Sequence, residues 1–207
     1  MLGLLVGSGP SCFVDYELGN GLTAESLTYD GGGGVIVVTR VEANLIDLQF
    51  RGNGPQGLFT VDEPGPWSFD VLDPEQGERP PSITLGAGDW IAMQMSCVLE
   101  PLEGADALYL EGRYLPDDGS AARDLRLRVE TSFTLSVERS GTTKYSTQRV
   151  VDVADELHPD FWFPNINVSN ADVDGAGWIT LSPTQNPVVY AQLVEALDRS
   201  TRSWLEP

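Results

Sequence analysis

The sequence predicts a mainly β protein, a two-layered antiparallel β-sandwich finished by one C-terminal α-helix. Three observations carry this. The second half of residues 82–99, SITLGAGDWIAMQMSCVL, alternates, with Ile91, Met93, Met95, Cys97 and Leu99 on one side and Ala92, Gln94, Ser96 and Val98 on the other. That period of two marks a half-buried strand. Short apolar runs recur between Gly, Pro and Asp clusters, the punctuation of an all-β domain. Helical spacing is almost absent before residue 185.

The elements follow in order. Gly31 to Gly34 lead into the β-branched run Val35-Ile36-Val37-Val38 without the Gly-Lys-Ser/Thr of a phosphate loop. Leu45 to Phe50 reads as a second strand with Ile46, Leu48 and Phe50 on one face, ended by the turn residues Arg51-Gly52-Asn53-Gly54-Pro55. A short strand over Leu58 to Val61 precedes Pro64-Gly65-Pro66, and Trp67, Phe69 and Val71 alternate after it. Beyond the strand at 82–99, Leu108, Leu110 and Gly112 oppose Tyr109 and Arg113, up to the turn Asp117-Asp118-Gly119. No internal repeat is present.

Composition limits function. The chain has 207 residues, 41% of them hydrophobic, enough for one or two cores. Twelve basic and thirty-one acidic residues give a net charge of −19, which repels nucleic-acid phosphate and anionic lipid. The acidic run 70–78, DVLDPEQGE, reads as a solvated loop, with divalent-cation binding as its alternative. Cys12 and Cys97 are not in a C-x-x-C pattern, so neither zinc nor thioredoxin-type chemistry is indicated. They pair only in an oxidising compartment; otherwise Cys97, on the inward face, acts as a small hydrophobe. The N-terminal MLGLLVGSGPSC has two readings. One is the tail of a bacterial lipoprotein signal with Cys12 lipidated; the other is an ordinary entry to a first strand at Phe13 to Leu18. No segment has the ~18 apolar residues of a membrane-spanning helix.

From residue 35 to 131 the feature order VIVVTRV, LQFRGNG, WSFDVL, ITLGAGDWIAMQMSCVLEP, ALYLEGRY and DLRLRVET resembles a Hydin-type, ASH-like immunoglobulin sandwich, a relative of major sperm protein domains. The chain departs from that pattern in its tight Pro101-to-Gly104 spacing and in continuing past the last expected strand. The resemblance implies an immunoglobulin-like scaffold or docking module and no catalytic residues. It divides the chain into an N-terminal segment (1–34), a sandwich core (35–131) and a hairpin, loop and helix (132–207).

Leu125, Leu127, Val129, Phe133, Leu135 and Val137 keep one parity, longer than a typical strand of about 5–6 residues. This predicts either an extended hairpin folding back at Ser140-Gly141, with a return strand from Lys144 to Val151, that docks on a partner, or a bulged strand crossing between two sheets. Phe161-Trp162-Phe163 and Trp178 anchor the irregular stretch 155–185. Asn170, Asp172, Asp174 and Gly175 form an N-x-D-x-D-G run suited to calcium, but Leu181 stands where an EF-hand needs its bidentate Glu; an Asx-rich turn is the competing reading. Asn186 as N-cap and Pro187 at the first position open the helix, whose face carries Val189, Leu193, Ala196, Leu197 and Trp204, with i,i+4 pairs at Glu195–Arg199 and Asp198–Arg202.

His158 is the only histidine and no G-x-S-x-G is present, so nothing points to a Ser-His-Asp hydrolase. We expect a non-enzymatic structural or assembly protein without cofactor, calcium aside. It docks on neighbouring subunits of the same or another kind through Phe133, Leu135, Val137, Tyr145, Leu193, Leu197 and Trp204. Two settings fit: a virion or extracellular assembly, such as a phage tail, neck or decoration protein, and a bacterial envelope module anchored at Cys12.

Overall fold

The computed structural model describes residues 16–18, 22–24, 27–30, 32–72, 77–153, 157, 162–163 and 166–207. Cys12, His158 and Phe161 lie outside them, as do residues 13–15 of the stretch read as a first strand.

The fold is mainly β, a curled, open half-barrel sheet with one C-terminal helix. The strands of the main sheet are β3 (Leu27–Asp30), β4 (Gly34–Gly54), β5 (Gly57–Asp70), β7 (Gly88–Leu99), β8 (Leu108–Pro116), β9 (Arg123–Val129), β10 (Phe133–Tyr145) and β12 (Trp178–Leu181). The path runs β10-β7-β4-β8-β9-β12, with β3 and β5 also on β4. The pairs are antiparallel except β12 with β9, which is parallel. Two small ribbons stand apart from this sheet: β1 (Tyr16–Leu18) with β2 (Leu22–Ala24), and β6 (Ile83–Leu85) with β11 (Arg149–Val151).

Strand β4 makes the curl. Its first half pairs with β8 and its second half with β7, along the same edge. Asn44 sits at the change of partner: its N–H donates to Ala107 O (3.0 Å) and its carbonyl accepts from Glu100 N (3.0 Å). Its side chain fixes the corner, donating to Asp106 O (2.6 Å) and accepting from Ser68 Oγ (2.6 Å). A buried amide needs such partners, since each one left unmade costs about 1–3 kcal/mol.

The runs 35–38 and 45–50 are therefore one strand of 21 residues. Register shifts at Thr39 and Ile46 turn its inward parity over twice. Ile36 and Val38 point in, then Val41, Ala43 and Leu45, then Leu48 and Phe50. The expected inward position of Ile46 is corrected: it falls on the shift, and Leu45 takes the core site. A third irregularity, at Ala92 (φ 50), corrects Ile91. Met93, Met95, Cys97 and Leu99 are buried as the alternation requires, but Trp90 is buried and Ile91 exposed.

The extended hairpin does not form. Parity continues from Val129 to Phe133, yet the chain breaks at 130–132: β9 pairs with β8, whereas β10 pairs with β7. Ser140-Gly141 is a bulge inside β10, not a turn, and Lys144 and Tyr145 continue against Asp89 and Gly88. The return segment 149–151 pairs with β6.

The helix α1 spans Pro187–Ser200, followed by a 3₁₀ turn over Thr201–Ser203. Asn186 precedes it as expected but does not cap it; it adopts φ 54 and makes no side-chain cap bond. Its amide instead accepts from Asp172 N (2.7 Å) and donates to Asp172 O (2.9 Å) and Thr180 O (3.0 Å), stitching the preceding loop to β12. Leu193, Ala196, Leu197, Trp204 and Leu205 are buried, so the helix packs within the chain, as its marginal intrinsic stability demands.

Candidate functional site

The residues expected to dock a partner lie mostly inside. Leu135, Val137, Tyr145, Leu193, Leu197 and Trp204 are buried in the chain and Phe133 is partly buried against the same core. The C-terminal segment covers β10: Thr201 Oγ1 donates to Ser136 O (2.9 Å) and Tyr145 OH to Leu205 O (2.9 Å). Arg139 reaches Glu206 (3.0 Å), and Trp204 seats fully beneath these tethers. Intrachain packing accounts for the apolar stripe of 133–137 and of the helix.

In the Asn170-Asp172-Asp174 run, Asp174 is an Asx-turn residue whose oxygens are occupied by protein donors. Its Oδ1 accepts from the N–H groups of Ala176 and Trp178 (both 2.9 Å), and Oδ2 from Thr180 Oγ1 and Arg126 (both 3.0 Å). These donors, Trp178 N–H foremost, hold its carboxyl below the usual carboxylate range. Arg126 in turn lies 5.3 Å over the Trp178 ring. Among the described residues no three His, Cys, Asp or Glu side chains gather to hold a metal ion.

A cleft of about 590 Å³ lies over the β4 bend, with Arg40, Glu42 and Asn44 as its floor and Asp70, Gly77 and Ala105 on its walls. Arg40 and Glu42 pair with each other, and Asp70 accepts from the Leu72 N–H (2.8 Å). Arg40 Nε donates to Glu42 (3.0 Å) and its guanidinium sits 5.6 Å from the centre of the Tyr109 ring. Next to it Arg128 grips Asp106 with two bonds (2.9 and 3.1 Å), a contact that raises the Arg128 pKa. Such closed pairs brace the bend and leave little unsatisfied polarity for a ligand.

The feature that the strand patterns alone do not expose is the outer edge of β5. Strand β5 pairs with β4 along its whole length, closing at the Gly54–Gly57 pair. Antiparallel pairs alternate between bonded and non-bonded, so Leu58, Thr60 and Asp62 turn their peptide groups away from β4. Among the described residues no backbone bond or strand reaches this outer edge between 58 and 67. Farther on, Glu78 N donates to Ser68 O (2.9 Å) and Phe69 bridges Gly77, which closes that end. Pro64, with no N–H, limits the open part to six residues.

No protein family model matches this chain, and no curated protein or solved structure does either.

Side chains complete the β5 site. Phe59 and Val61 pack inward; Phe59 and Phe50 each lie 5.8 Å from Trp90, forming an aromatic cluster at the hairpin end. A groove of about 520 Å³ opens there between the β4–β5 turn and residues 84–90, bordered by Pro55, Leu58, Phe59, Ala87 and Trp90. Leu58 is 81% exposed at its rim, the most exposed of the described large hydrophobic side chains. Asp62 and Glu63 are exposed at the other end of the open stretch. The sequence signals were the Pro-Gly-Pro and the isolated Leu58, which alternation analysis reads only as a short strand.

Proposed function

We propose that this protein is a non-catalytic docking module that binds a neighbouring protein by strand addition to the outer edge of β5. The observation that carries the reading is a six-residue strand edge whose outward peptide groups have no backbone partner among the described residues, beside an exposed Leu58. Such an edge is a template for pairing, and main-chain bonds plus side-chain grooves are how extended segments are recognised. The finer view of the curled sheet as an immunoglobulin-like, Hydin-type sandwich belongs to this proposal. It is supported by the strand order and by the change of partners along β4. The extended hairpin that favoured a particle subunit does not form and the helix face packs within the chain, which weakens that setting relative to an envelope module. A diacylglyceryl group on Cys12 of the native protein, read by mass spectrometry, supports the envelope; an unmodified Cys12 supports the particle.

Selection of displayed eight-residue peptides against the wild type and against Thr60→Pro tests the docking mode. Thr60 is exposed and its N–H faces outward, so proline there removes a docking bond at an edge position that tolerates it. Sequences that bind the wild type and lose the variant support strand addition. Sequences that bind both equally contradict it.

A further inference from the structure

We infer that the segment taken by β5 is a short cationic strand of a different protein, with a basic residue set against Asp62 and an apolar residue, four positions later, set against Leu58. This rests on the strand-addition reading and adds the chemistry of the occupant. Three features of the edge carry it. The open stretch begins at Leu58 and is stopped by Pro64, so an occupant gains main-chain bonds only from Leu58, Thr60 and Asp62 and needs about five residues in register. The charged groups facing it are Asp62 and Glu63 on β5 and Asp47 on the adjoining part of β4, against one cation, Arg51, across from Thr60. The groove beside Leu58, bordered by Phe59 and Trp90, offers an apolar side chain a seat only at the hairpin end. Antiparallel addition, the more stable pairing per residue, orders these contacts as basic-x-x-x-apolar from the partner's N-terminal side.

A second copy of this chain fits poorly. Two β5 edges related by a two-fold axis at Thr60 would set each Leu58 opposite the other's Asp62, and would bring together chains of charge −19. Unfavourable cross-strand pairs and like net charge oppose that dimer. Acidic residues and a proline also blunt self-pairing at edges, but that role alone accounts neither for the bare Leu58 nor for the groove next to it.

The test uses the full chain and three labelled peptides: acetyl-Thr-Arg-Thr-Val-Thr-Leu-Thr-amide, the same peptide with Glu for Arg, and the same with Arg and Leu exchanged. Fluorescence anisotropy gives affinity, and amide hydrogen exchange gives the docking site. The Arg peptide should bind and slow exchange at Leu58, Thr60 and Asp62. The Glu peptide should bind about tenfold more weakly, the weight of one opposed against one matched cross-strand charge. The exchanged peptide should also be weaker, and the double variant Asp62→Lys, Glu63→Lys should reverse the Arg-over-Glu preference. Slowed exchange with equal Arg and Glu affinities would overturn the cationic assignment while leaving strand addition standing. Binding without slowed exchange at those three amides, self-association through β5, or no binding of the Arg peptide overturns the inference itself.

Discussion

Two of the sheet's outer margins, β10 and β5, are treated differently. At β10 the C-terminal end of the chain serves as cover: α1 and the turn after it pack on the strand, Trp204 and Leu205 are fully buried, and Thr201, Arg139 and Tyr145 tie the terminus down. At β5 no described backbone group pairs with the outer edge from Leu58 to Glu63, and a leucine and two acids are exposed there. The margin without such cover is the one proposed above to dock a partner. The contrast also predicts where stability resides, at the covered margin, and where it does not, along the open one.

Trp204 gives the largest expected effect. Trp204→Ala should lower unfolding free energy in urea by ~3–5 kcal/mol, because the side chain is fully buried. Trp204→Phe should cost much less, since the buried indole N–H has no acceptor among the described residues. Leu58→Ala, by contrast, should stay within about 0.5 kcal/mol of wild type; equal losses at both sites would remove the contrast.

Asn44→Ala tests the joint between the two halves of β4. It removes the bonds to Asp106 O and Ser68 Oγ and leaves those groups short of partners, at a cost of about 2 kcal/mol in thermal or urea unfolding. A neutral result would mean that main-chain bonds alone hold the bend.

Acid should weaken the β12 margin in a defined direction. The Asp174 carboxyl is held low by the Trp178 N–H and its other donors. A group whose folded pKa is depressed contributes stability above its unfolded pKa and loses it as pH falls through the folded value. Stability measured from neutral down into the acid range should therefore fall more steeply for wild type than for Asp174→Asn. Parallel slopes would contradict the bonding described for Asp174.

A smaller effect concerns Cys97. Burial pushes its thiol well above the ordinary range, so in a Cys12→Ser protein it should resist a thiol reagent until the chain unfolds. Rapid native labelling would show that the β7 face opens readily.

Much of the fold was legible in sequence because local alternation survives wherever a strand is regular. Leu108 to Tyr114, Leu125 to Val129 and Met93 to Leu99 all bury the parity their patterns announce. The misreadings fall where backbone irregularity or topology intervenes. Shifts at Thr39, Ile46 and Ala92 reverse parity, moving Leu45 and Trp90 inward and Ile91 outward. A residue pattern does not contain these shifts. The jump from β9 to β10 was hidden because parity happens to continue across 130–132, so two strands in different parts of the sheet read as one long arm. The candidate site was least legible, because an edge is defined by what fails to pair with it, and pairing is non-local. Asn186 was placed correctly before its helix, yet its amide was drawn to the Asp172 and Thr180 backbone groups, which compete with the cap.

Residue-resolved amide hydrogen exchange on the free protein tests the open edge most directly. Exchange should alternate along β5, fast at Leu58, Thr60 and Asp62 and slow at Phe59, Val61 and Glu63, while the amides of β10 facing β7 stay protected. Uniform protection from Leu58 to Glu63, matching that of β10, would mean the edge is already covered and would contradict the account.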